Sequence, residues 1–393
     1  MAVPDALVAK FQLNHTQLME TVDLLCEKIK QGLLEDGHEI KAIPSYLQQP
    51  PEHLQGEVLV VDIGGTNVRA AIVKLNANGT YELVAGPIKS QVPAGRHGKY
   101  VSAEEFFSIQ ASLALQLNPA PNLPIGYCFS YAAQSTPEAD ASLIHWTKDV
   151  HVDGVEGQLV GKMLVQAFKD QGYQPGRITV LNDTVATLLA GAGANSHKYD
   201  HFIGLIAGTG TNMAGFVPIS PENKLSKLQW NGEPMAVNLE SGNFTPPYLN
   251  IYDDFMDQRL DTPGSHRFEK ALAGYYLPFL YAAVRPGETN FDPYAGTGVL
   301  VAKRDNDHDE LSEAILTRSA QYIAVSLAGF IHALGNEGSF CITAEGSRYW
   351  QDPQLAPYVE KLLPTLIGDK VTFSIVKVQD ANLLGASYAA LGR

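Results

Sequence analysis

The sequence predicts an α/β protein of two domains, built on mixed sheets with helices on their faces, and three observations carry that reading. The first is the stretch EVLVVDIGGTNVRAAIVKL at residues 57–75. Five of the six residues 58–63 are apolar and four of those are β-branched, the exception being Asp62. This is the pattern of a buried strand with one carboxylate near its end. Gly64-Gly65 then turns the chain, and the following stretch, with Val68, Ile72 and Val73, alternates, so a hairpin is expected instead of a helix. The second observation is that residues 201–219, HFIGLIAGTGTNMAGFVPI, repeat the pattern. Aligning Gly65-Thr66-Asn67 with Gly210-Thr211-Asn212 sets Ala207 opposite Asp62, so one hairpin keeps an acid and the other does not. The third is length: 393 residues exceed what one hydrophobic core organises.

The remaining elements follow in order. Leu18, Val22, Leu25, Ile29 and Leu33 recur at helical spacing, with a start near Thr16 and Glu20 and a stop at Gly32 or Gly37. Pro44, Pro50 and Pro51 mark residues 42–56 as an extended connection. After the first hairpin, residues 80–88 form a third strand entered through Asn78-Gly79, and residues 103–117 a helix. Residues 124–131 read as a buried strand ending at Ser130, residues 158–169 as a helix, and residues 178–181 as a short strand running into Asn182-Asp183-Thr184. A helix over 185–192 comes next, and the second hairpin opens the second half. Glu240 ends an apolar, Gly-containing strand, Glu269 and Lys270 lie on a helix over 265–276, and residues 285–298 form a Pro- and Gly-rich loop. Residues 311–334 are a long helix, 340–343 a strand running into Glu345-Gly346-Ser347, 371–378 another strand, and 380–391 a closing helix of small residues.

Composition narrows the function. A hydrophobic share of 45% describes an ordinary globular protein, and a net charge of −14 argues against nucleic acid or an anionic membrane surface as partner. Cys26, Cys128 and Cys341 are isolated and odd in number, which fits a reducing, cytoplasmic setting. No apolar run is expected to reach membrane-spanning length, and no secretory signal pattern is expected.

Several residues point to chemistry. The glycine turns, with backbone N–H groups and the Thr66 hydroxyl, suit phosphate oxygens, and Asp62 stands where it could hold a hydrated magnesium ion; a purely structural hairpin is the other reading. Asn182 and Asp183 sit at a strand end before a helix, the usual ligand position of an open α/β sheet, although Asp183 could equally cap that helix. Lys148 and Glu269 taken alone read as surface charges.

The order of motifs carries a resemblance that favours the functional reading of each. The chain carries VDIGGTNVR, FSY, WTK, LNDTVAT, GTGTNMAGF, NLESGNF, FEKALAGYYL and AEGS in succession. In this it resembles the hexokinases of the actin-like ATPase superfamily, from about Asp62 to Ser347. The resemblance implies a two-domain actin-like ATPase fold, a duplicated ribonuclease H-like unit with mixed sheets and a central cleft. The smaller domain would comprise 57–181 with 377–393, and the larger one 1–56 with 182–376. The implied activity is ATP-dependent phosphorylation of the 6-hydroxyl of a hexose, glucose first, with mannose and fructose possible. Ser130, Thr147 and Lys148 would meet the sugar from the small domain, and Asn182, Asp183, Asn212, Glu240 and Glu269 from the large one. Asp183 would be the general base, with Lys148 assisting. ATP would be held by Asp62, Gly64, Gly65, Thr66, Asn67 and Arg69, by Gly208, Thr209, Gly210 and Thr211, and on the adenosine side by Gly346 and Ser347. Mg2+ would be held at Asp62. Partners would be hexose and nucleotide, with no nucleic acid and no membrane, and oligomeric state stays open.

The chain departs from the family pattern at three places. Tyr131-Ala132 stands where Phe-Pro is usual, Ser241-Gly242 where Trp-Gly follows the sugar-binding Glu, and Glu345 where Asp is usual. The first two border the implied sugar pocket and bear on sugar preference. A His/Cys signature is absent, so no structural zinc is expected. Competing functions are an N-acetylhexosamine kinase, a catalytically weak sugar sensor and, last, a filament-forming or chaperone-type ATPase.

Overall fold

The computed structural model of the chain describes residues 5–92, 101–146, 150–196, 198–230 and 234–393. Two sheets organise it. The first holds Tyr81–Gln91, Asn67–Leu75, Gly56–Ile63, Ile125–Phe129 and Ile178–Leu181, in that spatial order. The second holds Met235–Asn238, Thr211–Val217, His201–Ala207, Gly338–Glu345 and Val371–Val376, with the short Ile43–Pro44 strand added on the Met235–Asn238 edge. Numbered along the chain within each half, both five-strand sets read 3-2-1-4-5. Their senses also agree: strands 1, 2 and 3 pair antiparallel, and strands 1, 4 and 5 pair parallel. The duplication expected from two short Gly/Thr stretches thus extends over both sheets.

Each half passes its last helix to the other. Asp183–Asn195 leaves the final strand of the first sheet and packs on the second; Ala381–Leu391 leaves the final strand of the second and packs on the first. The two helices also pack on each other, with Gly385 against the Ala186 carbonyl. Their small residues let the backbones approach closely, and their apolar faces join both sheets in one core containing Val60, Leu188, Phe202 and Leu384. The ends of the strands that lead into these helices therefore face one region between the halves.

Local chemistry moves several expected boundaries. The first long helix, His15–Leu34, begins one residue before the expected Thr16 and is capped by Asn14: the Asn14 side chain accepts from the Gln17 N–H while the Gln17 side chain accepts from the Asn14 N–H, both at 3.0 Å. Gly32 lies within that helix, where it faces the Ile40 backbone, and does not stop it. The expected 265–276 helix is only Arg267–Leu272, followed by Leu277–Val284 with Pro278 in its first turn. Glu310–Ala333 corrects the expectation about membrane-spanning length. By length and composition it could cross a membrane, yet 94% of its most apolar window is buried inside the protein. Asp309 caps it, accepting from the Ser312 N–H at 2.7 Å. On this helix Arg318 is fully buried and forked onto Asp253, with Nη1 and Nη2 at 2.8 and 2.6 Å from the two carboxylate oxygens.

Candidate active site

The first hairpin places Asp62 one residue before the last paired position, where Arg69 faces it across the strands. Asp62 is 4% exposed, and its Oδ2 accepts from Arg69 Nε at 3.0 Å and Nη2 at 2.6 Å. Residues 64–67 form the turn, closed by Gly64 N–H donating to the Asn67 carbonyl at 3.0 Å. Arg69 also lies 3.9 Å from Asp380, at the foot of the closing helix.

The second hairpin is built differently. Ala207 pairs with Thr211 around a turn of residues 208–210, with Gly208 N–H donating to the Gly210 carbonyl at 2.9 Å. The turn is one residue shorter than the first, so the sequence alignment does not carry over to the register. Ile206, not Ala207, takes the position equivalent to Asp62, and the asymmetry between one acidic and one apolar hairpin remains. Gly274 N–H donates to the Gly208 carbonyl at 2.8 Å and supports this turn from below. Gly346, at φ +118°, packs against Ala207 and Gly208, which brings the Gly346-Ser347 pair to the second turn.

Glu269 also reaches the second hairpin. Its Oε1 accepts from the Thr211 N–H at 3.0 Å, and a Cβ on Gly210 would stand 2.6 Å from that oxygen. Gly210 therefore leaves room for a carboxylate as well as shaping a turn. Glu269 is thus no simple solvated helix charge.

On the other side, Ser130 follows the fourth strand of the first sheet, and its N–H donates to the Ile63 carbonyl at 3.1 Å. Cys128 pairs with Asp62 in register. Burial pushes the Cys128 thiol up, and the carboxylates of Asp62 and Asp183 beside it add to the shift. Cys128 also pairs with Leu181, two residues before Asp183, so the first hairpin and the start of the Asp183 helix lie at the same end of the sheet. Asn182, not Asp183, holds the cap position: its Oδ1 accepts from the Thr184 N–H at 2.9 Å, and Asp183 is the first helical residue. Thr147 and Lys148 lie outside the described residues.

A chain of amides links the rest. Asn212 Nδ2 donates to Asn238 Oδ1 at 2.7 Å, and Asn238 Nδ2 donates to Glu240 Oε1 at 2.7 Å. Glu240 itself is left-handed, with φ 53° and ψ 47°. A non-glycine residue there costs about 1–2 kcal/mol, a strain that persists where surrounding structure fixes a side chain for use. Sequence reading missed Asn238. The available signal was its place at the end of the strand that runs into Glu240, two residues before it.

The arrangement is two glycine turns, one acidic and one not, beside a carboxylate at a helix start and an amide-held Glu. Two hexokinase family models match this chain, one over residues 4–193 and the other over residues 202–284 and 307–392. The chain belongs to the hexokinase family. Hexokinase-1 of Schizosaccharomyces pombe is 26% identical over 438 residues, spanning 98% of this chain and 89% of that protein. Hexokinase-1 of Saccharomyces cerevisiae is 30% identical over 280 residues, spanning 68% of this chain and 57% of that one. Among solved structures, a hexokinase from Schistosoma mansoni complexed with glucose superposes with a TM-score of 0.83 at 23% identity, covering 98% of this chain and 97% of that chain. The fold is thus the two-domain, actin-like sugar-kinase fold.

Of this chain's departures from the hexokinase family pattern, Tyr131, Ser241 and Gly242 are buried, while Ala132 and Glu345 are half-buried. Ser241 is buried, and its N–H donates to Asn212 Oδ1 at 3.2 Å, so the position that usually holds Trp here helps fix the amide chain. Burial pushes the Glu345 carboxyl up, against the opposing pull of Lys377 and Arg69.

Proposed function

We propose that this chain transfers the γ-phosphoryl group of ATP to the 6-hydroxyl of a hexose, glucose first, at the region where the two hairpins and the Asp183 helix meet. The observation that carries this is the register of the first sheet, in which Asp62 pairs with Cys128 and Cys128 with Leu181, two residues before Asp183 at the helix start. It supports a phosphate-handling carboxylate and a second carboxylate working on one reaction centre. Asp183 accepts the proton of the 6-hydroxyl as that oxygen attacks, worth about two to four orders of magnitude in rate. Asn182, Asn212, Glu240, Glu269 and Ser130 hold the sugar hydroxyls, each of which both donates and accepts. A site of this kind rejects analogues lacking those hydroxyls, because its polar groups would be left unpaired.

The two turns, with Thr66 and Thr209, cradle the phosphates, and Gly346 and Ser347 take the adenosine side. Asp62 fits a hydrated magnesium ion: it is buried beside the first turn, and Arg69 occupies only its Oδ2. When bound with the nucleotide, magnesium supplies charge neutralisation at the phosphate oxygens. Arg69, and Lys148 by its motif, supply further positive charge. The domain division 57–181 with 377–393 against 1–56 with 182–376 is supported by the crossed packing of the two helices. Closure of one domain on the other would keep water from competing with the sugar. A cytoplasmic setting is supported by three free, buried cysteines.

The acceptor is tested by ADP release with Mg-ATP across glucose, mannose, fructose and N-acetylglucosamine. Glucose, mannose or fructose should support the fastest release. A preference for N-acetylglucosamine would move the assignment to an amino-sugar kinase. Asn238→Ala tests the amide chain: the Glu240 carboxylate loses the Asn238 Nδ2 donor, an effect of about 1.5–3 kcal/mol. Hexose affinity should fall roughly ten- to a hundredfold by equilibrium titration; a change under twofold would remove Asn238 from the site.

A further inference from the structure

The Tyr131 side chain is 2% exposed, and its hydroxyl donates to the Gly64 carbonyl at 2.8 Å. That carbonyl belongs to the peptide joining Gly64 and Gly65, the two turn glycines. A trans peptide is planar, with C=O and N–H on opposite edges, so fixing the oxygen also fixes the direction of the Gly65 N–H. Two adjacent glycines otherwise leave such a peptide free to rotate, because neither carries a Cβ to restrict φ and ψ. The Tyr131 ring is itself held. It packs edge-on against Trp146 at 4.9 Å and beside Phe129 at 5.0 Å, and Trp146 Nε1 donates to the Val152 carbonyl at 2.9 Å. Ser130, assigned to the sugar, is its neighbour in the chain.

We propose that Tyr131 is a positioning residue for nucleotide: its hydroxyl sets the orientation of the Gly64–Gly65 peptide in the first phosphate turn. The proposal rests on the kinase reading for the identity of the nucleotide as Mg-ATP. Phenylalanine, usual at this place in the family, keeps the ring and its packing but has no donor for the carbonyl. The geometry therefore separates two roles within one side chain, the ring serving the aromatic cluster and the hydroxyl serving the turn.

The test compares Tyr131→Phe with Tyr127→Phe, on the whole chain. Tyr127 is a buried tyrosine of the strand that leads into Tyr131, and its hydroxyl donates to Gln110 Oε1 at 2.8 Å. Calorimetric titration with Mg-ADP gives the nucleotide dissociation constant without turnover. Loss of one neutral hydrogen bond should weaken Mg-ADP binding roughly fivefold in Tyr131→Phe and leave it within twofold in Tyr127→Phe. In turnover, KM for ATP should rise by a similar factor while KM for glucose stays within twofold. Unchanged Mg-ADP affinity in Tyr131→Phe, or equal weakening in both variants, overturns the proposal, even if both variants lose thermal stability. Were the unmodified chain to bind Mg-ADP but show no sugar-dependent turnover, the kinase reading would fail while the titration still decided the role of Tyr131.

Discussion

Replacing Asp183 with asparagine is expected to lower sugar-dependent turnover by about two to four orders of magnitude while leaving hexose affinity within a few fold. The substitution isolates proton transfer. Asp183 is the first residue of Asp183–Asn195, and its Oδ1 accepts from the Thr184 N–H at 2.8 Å. Asparagine keeps a carbonyl oxygen for that bond and can still donate to a sugar hydroxyl, so shape and much of the binding survive. It cannot accept the 6-hydroxyl proton at neutral pH. Asn182 continues to cap the helix, so stability should scarcely change. Steady-state kinetics separates the effects: kcat collapses while KM for hexose holds. A loss of kcat below tenfold would mean that proton removal is not assigned to Asp183.

The largest expected effect on folding lies away from the reaction centre. Asp253→Ala should destabilise the protein by about 3–5 kcal/mol, because it leaves the Arg318 guanidinium buried without its counter-charge. Arg318 is fully buried, and both of its terminal nitrogens bond Asp253. Its guanidinium carbon also lies 4.8 Å from the Phe11 ring centre. Asp253 has a second duty: its Oδ2 accepts from the Asn250 N–H at 2.8 Å and completes the capping box of Ile251–Asp257. Urea denaturation of the purified chain should show a midpoint lowered in proportion, and Arg318→Met with Asp253→Leu should recover much of the loss, since an apolar pair can replace a buried ion pair. A loss under 1 kcal/mol in Asp253→Ala would show that water or a rearranged partner takes up the charge.

The contrast between these residues explains how much was legible in the sequence. The first hairpin was legible because its signal is local: a β-branched run, one acid and two glycines occupy consecutive positions. Asn182 and Asp183 were legible for the same reason, since strand, polar pair and helix follow one another directly. The paired halves were visible as two short motifs, yet the shared strand order became apparent only in space. What escaped depends on partners far apart in the chain. Asp253 and Arg318 are 65 residues apart, and Glu269 and Thr211 are 58 apart. Read alone, Glu269 was a helix charge; its meaning comes from the Thr211 N–H and the space above Gly210. The second turn was aligned by composition, but pairing register is set by hydrogen bonds across strands, and one residue fewer in the turn shifted it. The sequence leaves Asp183 as either cap or reactive group, because it cannot decide which of two adjacent polar residues is the non-helical one; in the structure that residue is Asn182, and both side chains accept from the Thr184 N–H. Tyr131 reads in the sequence as a departure bordering the implied sugar pocket, while in the structure its hydroxyl donates to the Gly64 carbonyl in the turn of the first hairpin.

The central claim is that phosphoryl transfer here requires a hexose and delivers phosphate to its 6-hydroxyl. It is tested most directly by following ADP release from Mg-ATP with and without glucose, and by identifying the sugar product by phosphorus NMR. The account predicts release that is strongly dependent on glucose and a product carrying phosphate on the 6-hydroxyl alone. Equal release with and without glucose, with inorganic phosphate as the only product, would contradict it and leave a general ATPase on this fold.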